Sequence, residues 1–152
     1  MTGRALIFLA AAGSAALLTG AFVFQALGYP PCHLCLLQRW PHLAALIVGA
    51  LALWQGWRWL PWAGAAAAGL SGLIAVYHTG VERRWWAGPD SCTSQRVDGL
   101  TPEELLNHIM AAPLVRCDEP AWMLFGLSMA SWNAILSFAL VAVWVAAARR
   151  TA

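Results

Sequence analysis

The chain has 152 residues, 61% of them hydrophobic and only 11% charged, with a net charge of +2. Soluble domains are about half apolar and about a quarter charged, so this composition belongs to a membrane protein, and so small a charge without a basic stripe argues against a nucleic-acid partner. Four apolar spans and one sizeable loop would use the chain up as a single domain, with no separate soluble domain left over.

The first predicted span covers residues 5 to 27, "ALIFLAAAGSAALLTGAFVFQAL". It has the roughly 20 apolar residues a membrane helix needs and is longer than the apolar core of a secretory signal peptide. The second span is purely apolar only over residues 43 to 54. It is therefore expected to begin inside "LCLLQRWPH", giving residues 36 to 54. The connection after it, "QGWRWLP", sets Arg58 among Trp54, Trp57, Trp59 and Trp62 and reads as an interfacial aromatic belt. The third span, residues 62 to 80, contains "AGAAAAGLSG". Its pairs Gly64 and Ala68, Ala65 and Gly69, and Ala68 and Gly72 are small residues four apart, which let helices approach closely in lipid.

A long connection, residues 81 to 120, follows, and connections of that length are functional or disordered. Inside it "TPEE" offers Thr101 as N-cap, Pro102 at the first helical position and Glu104 to close a capping box. Leu105, Leu106, Ile109 and Met110 then give an apolar face, so a short amphipathic helix lying on the membrane is expected, with Trp85 and Trp86 at the same interface. The fourth span, residues 121 to 148, carries Asn133, a polar residue expected to bond another helix. The expected fold is an all-α membrane protein: a four-helix transmembrane bundle with one long loop carrying a short helix.

Four spans put Arg4, Arg58, Arg149 and Arg150 on one side and Arg39, Arg83, Arg84, Arg96 and Arg116 on the other, so arginine count alone does not orient the bundle. The Arg4 and Arg149/Arg150 flanks have no acidic partners, and all seven Asp and Glu lie in the long connection. The positive-inside rule then places both termini in the cytoplasm. Cys32 and Cys35, ahead of the second span, and Cys92 and Cys117, in the long connection, share the opposite side. Disulfides persist outside the cytoplasm, so redox cysteines there imply the periplasm or its equivalent.

The chemistry concentrates in "YPPCHLCLLQRWPH", residues 29 to 42. A C-x-x-C pair is either a disulfide redox centre or half of a metal site. An all-thiolate zinc site wants its second pair two to four residues apart, whereas Cys92 and Cys117 are 25 apart. Haem attachment needs His directly after the second cysteine, and Leu36 stands there. A structural disulfide would account for Cys92 and Cys117 alone but not for Cys32 and Cys35. Redox chemistry therefore outweighs metal binding and inert staples, which stay open as alternatives. A helix N-terminus and nearby positive charge both favour thiolate, and Arg39 lies four residues after Cys35. In a helix, Cys35, Arg39 and His42 share a face. Pro41 would clash with the Leu37 carbonyl, so the helix either starts near Arg39 or bends there. Arg39 so close to lipid either stabilises an anion or snorkels to headgroups. His78, in "VYHTGVE", reads as an interfacial hydrogen-bonding residue, His33 as an exposed residue or one that tunes the first pair, and His108 as surface.

Together "PCHLCLLQRWPH", "YHTGVERRWWAGPDSC" and "RCDEPAWMLFGLSMASWN" resemble the bacterial disulfide bond formation protein B family, the membrane partner of the periplasmic thiol oxidase DsbA. The likeness covers nearly the whole chain. It implies an inner-membrane protein-dithiol:quinone oxidoreductase using ubiquinone or menaquinone. By the same resemblance, Cys92 and Cys117 form a loop disulfide that a reduced DsbA-like partner attacks at Cys92, Cys117 exchanges with Cys32, and Cys35 passes electrons to the quinone. Arg39 matches the family arginine near the quinone, and His78 matches the histidine after the third span. Two features depart from the pattern: Gln38 stands where some members have an acid, and the loop between Cys92 and Cys117 is compact. Two other classes compete with this reading. One is a membrane binding or assembly protein whose cysteines are structural disulfides only. The other is a quinone-linked reductase like the vitamin K epoxide reductase-like proteins, which usually place the C-x-x-C later in the bundle.

Overall fold

The computed structural model describes residues 1–89, 101–111 and 115–151. Cys92 and Arg96, and the side chains of Glu104, Leu105, His108 and Ile109, lie outside the described residues, and so do the expectations that rest on them. In chain order the elements are α1 (Gly3–Ala26), α2 (His33–Gln55), α3 (Leu60–Glu82), α4 (Pro102–Ala111), β1 (Met123–Leu124), β2 (Leu127–Ser128) and α5 (Met129–Thr151). Helices α1, α2, α3 and α5 are each long and apolar enough to cross a membrane. They form the expected four-helix bundle, and α4 falls in the long connection.

Local chemistry sets the helix ends. The Thr2 hydroxyl accepts from the Ala5 N–H and starts α1. Cys32 caps α2, its sulfur accepting from the Cys35 N–H at 3.3 Å. Gly56, left-handed at φ 71°, stops α2 and returns its N–H to the Ala52 carbonyl. Pro61 stands in the first turn of α3, where its missing N–H costs nothing. Arg149 and Arg150 lie in the last turn of α5, where cations suit the helix dipole.

Two boundaries differ from the sequence expectation. Helix α2 begins at His33 rather than near residue 36 and runs through Pro41. The proline leaves the Leu37 carbonyl without its helical donor; beside it, Ser71 Oγ of α3 donates to the Gln38 carbonyl at 3.0 Å and ties the two helices together. Helix α5 begins at Met129, not near residue 121. The intervening residues form a hairpin pairing Met123 with Ser128 and Leu124 with Leu127. Phe125 and Gly126 at its turn are both left-handed, at φ 52° and 74°, the geometry that favours tight hairpins. An apolar stretch is thus folded back on itself before the helix can start.

The small residues of α3 pack against its neighbours, as expected. A Cβ on Gly64 would lie 2.7 Å from the buried Trp144 ring of α5, and one on Gly72 would meet Phe138 and Ser137 at 3.2 to 3.3 Å. From α2, a Cβ on Gly49 would meet Ala11 of α1 at 2.6 Å. Gly69 is different: its nearest neighbour would be Val141 at 3.7 Å, an ordinary contact. Gly64→Val is expected to cost about 1–3 kcal/mol through overpacking, read as a lower unfolding midpoint in detergent. Gly69→Ala is the control and should not lower the midpoint, since ordinary contacts bring no overpacking strain and alanine favours a helix over glycine by up to about 1 kcal/mol.

The bundle has two distinct ends. Arg150 donates to the Met1 carbonyl, and Arg4 donates to the Leu53 carbonyl at 2.9 Å. Both termini and the connection between α2 and α3 therefore share one end, where Trp54, Trp57, Trp59 and Trp62 are exposed and Trp57 stacks on Trp59. Cys32, Cys35, His78 and Cys117 gather at the other.

A candidate active site at the cysteine end of the bundle

Cys32 and Cys35 are free thiols in and just before the first turn of α2, with their sulfurs 2.9 Å apart. Cys32 is buried and Cys35 half-buried. His78 Nε2 lies 3.5 Å from Cys32 Sγ, and the three potential ligand atoms fall within 4.8 Å of one another. A zinc ion holds thiolates at about 2.3 Å in a tetrahedron, which would set two sulfurs roughly 3.8 Å apart. The observed spacing is about 0.9 Å shorter (3.8 less 2.9), and suits a pair poised to form a disulfide better than a metal site.

Cys117 joins them from the long connection. It is disulfide-bonded and fully buried, in one apolar cluster with Cys32, Leu34 and Val81, flanked by Cys35 and Val115. Its backbone also hydrogen-bonds the His78 ring. Next to it Arg116 holds Asp118 through two bonds of 3.1 and 2.8 Å and Glu119 at 3.1 Å. Ion pairs at this exposure contribute about 0–1 kcal/mol, so burial of Cys117 rather than these charges anchors the segment. Three of the four expected cysteines are thus in one place, and Cys92 lies outside the described residues.

On the other side of the pair, a cavity of about 370 Å³ opens between α1, α2 and α5. Leu17, Ala21 and Phe24 of α1 and Met129 and Leu136 of α5 make its walls largely apolar. Cys35, Arg39 and His42 of α2 all line it, so the shared face survives Pro41. Arg39 donates to Gln25 Oε1 at 2.8 Å and to the Ala21 carbonyl at 3.3 Å, and lies over the Phe22 ring at 4.8 Å. Two buried polar atoms of cavity residues have no partner among the described residues: Arg39 Nε and His42 Nδ1. His42 Nε2 faces Asn133 Oδ1 at 3.0 Å. Asn133, through its amide nitrogen, donates to Gln38 Oε1 at 2.7 Å. Asn133 therefore bonds another helix, as its sequence context suggested.

His78 is a hydrogen-bonding residue, as expected, and it is buried. It lies a full turn inside the end of α3, because that helix continues to Glu82. Although it reaches the cavity wall, its ring is engaged by Gln38, by Cys32, by Glu82 and by the Cys117 backbone. Glu82 was missed among the acids assigned to the loop. Its side chain is only 7% exposed, 3.8 Å from His78 Nε2, and accepts from the Ser128 hydroxyl. The four-residue spacing of His78 and Glu82 was the available signal.

A family model described as "Disulfide bond formation protein DsbB" matches residues 3–147. A disulfide bond formation protein B of Haemophilus ducreyi is 30% identical over 131 residues, covering 80% of this chain and 71% of that protein. One from an Acidovorax species is 28% identical over 139 residues, covering 86% and 78%. An uncharacterised Rickettsia prowazekii protein is 27% identical over 117 residues, covering 74% and 68%. No solved structure matches. With a match running from the start of α1 into the last turns of α5, the chain belongs to the DsbB family and is a multi-pass membrane oxidoreductase of disulfide bond formation.

Proposed function

We propose that this protein reoxidises a reduced, thioredoxin-like thiol oxidase of the DsbA kind and passes the electrons to a membrane quinone, ubiquinone or menaquinone. One observation carries the reading. The Cys32–Cys35 pair stands between buried Cys117 on one side and an apolar cavity lined by Cys35 on the other. In this reading the cysteine end faces the periplasm of a bacterial inner membrane and both termini the cytoplasm, since Arg4, Arg149 and Arg150 lack acidic neighbours in sequence.

The electron path balances. The partner's dithiol becomes a disulfide while the Cys92–Cys117 bond is reduced, the partner attacking at Cys92. Cys117 then attacks Cys32 of a Cys32–Cys35 disulfide and forms a Cys32–Cys117 bond, releasing Cys35 as a thiolate at the cavity. Cys92 attacks Cys117, which restores the loop disulfide and releases Cys32. Oxidation of the Cys32–Cys35 dithiol back to a disulfide gives up two electrons and two protons in total. A quinone bound in the cavity supplies a two-electron, two-proton acceptor.

The residues present fit such a group. The cavity volume lies within the usual range for small-molecule sites, roughly 300–1,000 Å³, and its apolar walls suit a quinone ring and tail. Arg39 Nε–H, buried without a partner among the described residues, is available to donate to a ring oxygen. His42 gives its Nε2–H to Asn133 Oδ1, which leaves Nδ1 bare to accept from a hydroxyl. Arg39 also favours a Cys35 thiolate one helical turn away.

The deciding experiment supplies the purified protein with a reduced thioredoxin-like thiol oxidase and a short-chain quinone. Quinone absorbance and free thiols are followed together. One quinone reduced for every two thiols lost is the expected result. Thiols that do not cycle with either a ubiquinone or a menaquinone analogue would leave the membrane assembly protein with structural disulfides as the better reading.

A further inference from the structure

The hydrogen bonds around His78 define its tautomer. The Leu34 carbonyl can only accept, so the Gln38 atom 3.1 Å from it is the amide nitrogen. That same nitrogen lies 2.9 Å from His78 Nδ1, while the amide oxygen accepts from Asn133 Nδ2. Nδ1 therefore receives a hydrogen bond, and in the neutral ring the proton sits on Nε2. Nε2 faces Cys32 Sγ at 3.5 Å and Glu82 Oε1 at 3.8 Å, both able to accept, and the Cys117 backbone also bonds the ring.

We propose that Gln38 is a positioning residue that locks His78 as an Nε2–H donor to Cys32, and that His78 thereby stabilises the Cys32 thiolate during exchange with Cys117. This rests on the function proposed above and deepens it. The step concerned is the one in which a Cys92 thiolate attacks Cys117. The Cys92–Cys117 bond forms, the Cys117–Cys32 bond breaks, and Cys32 leaves with the electron pair; no net electrons are consumed. A thiolate at Cys32 needs such help, because its hydrogen bond with Cys35 and its burial both push that thiol upward. The buried Glu82 carboxylate, held by the Ser128 hydroxyl, keeps the ring proton on the same nitrogen.

The departure at position 38 now has a physical meaning. A carboxylate there would accept from Nδ1–H, leave Nε2 bare, and turn His78 from donor to acceptor at Cys32. Gln38 keeps the donor, while the acid stands on the opposite side of the ring, at Glu82. Among the described residues, the ionisable groups facing Cys32 and His78 are Cys35 from α2 and Glu82 from α3. Arg39 and Arg83 act on those two in turn, and β2 and α5 present the Ser128 and Ser131 hydroxyls.

Nitrogen NMR of the full-length, histidine-labelled protein in detergent reads the tautomer directly. The wild-type His78 ring should show protonated Nε2 and bare Nδ1, and Gln38→Glu should reverse them. In a Cys35→Ser background, Gln38→Glu should also move the pH profile of Cys32 alkylation upward and slow the reaction about tenfold at neutral pH. A wild-type ring protonated on Nδ1, or an alkylation profile unmoved by Gln38→Glu, overturns the proposal. If Gln38→Glu does not fold, the wild-type spectrum decides alone. None of these measurements uses quinone or partner, so their failure is separate from failure of the quinone assay.

Discussion

Cys35→Ala is expected to bring quinone reduction down to background, at least about a thousandfold, the scale on which loss of a reacting nucleophile acts. Among the described residues Cys35 is the only cysteine on the cavity wall, with Cys32 behind it and buried against Cys117. Removing Cys35 therefore takes away both the last thiol of the path and the leaving group that Cys117 must displace from Cys32. The variant should still accept one electron pair from the reduced partner at the loop disulfide and then stop, with Cys92 and Cys117 accumulating as free thiols that mass spectrometry counts after alkylation. A structural-staple role predicts a loop disulfide that the partner leaves intact. Cys92→Ala should also stop turnover, but there the partner finds no loop disulfide to reduce. The two alanine variants together locate the break rather than merely detecting a loss.

The four spans were legible because lipid demands them: with no water to satisfy the backbone, a spanning segment must be a long apolar helix. The packing role of Gly64 and Gly72 was legible for a related reason, since small residues four apart serve close helix approach in lipid. The start of α5 was not. Nothing in an apolar run announces that Phe125 and Gly126 will adopt left-handed backbone and fold residues 123 to 128 into a hairpin. Pro41 pointed to a start near Arg39 or a bend, yet α2 begins at His33 and runs through it, a continuity no local pattern announces. Glu82 was hidden by its company: within "VERR" it reads as a solvated charge, and only the continuation of α3 and the approach of Ser128 bury it. The contact of Cys117 with Cys32 spans 85 residues of sequence and leaves no periodic trace. Such non-local meetings are where pattern reading stops, and here they are also where the proposed chemistry takes place.

Arg39→Ala is expected to raise the KM for quinone by about 10- to 100-fold, the worth of one hydrogen bond from a charged donor. Exchange between the loop cysteines and Cys32 should change by no more than about twofold, because the arginine touches neither Cys32 nor Cys117 in the structure. The difficulty is that Arg39 also straps α2 to α1, through Gln25, the Ala21 carbonyl and the Phe22 ring. Two further variants separate the roles. Gln25→Ala removes the strap's strongest bond and leaves the unpartnered Nε–H in place, so it should barely move the quinone KM. Arg39→Lys keeps the charge but loses the guanidinium fork, which cannot be replaced by a single ammonium group, so it should resemble Arg39→Ala. If Gln25→Ala raises the KM as much as Arg39→Ala, or if both variants slow loop exchange equally, then Arg39 is a strap between helices. In that case the donor to the quinone must be sought elsewhere on the cavity wall.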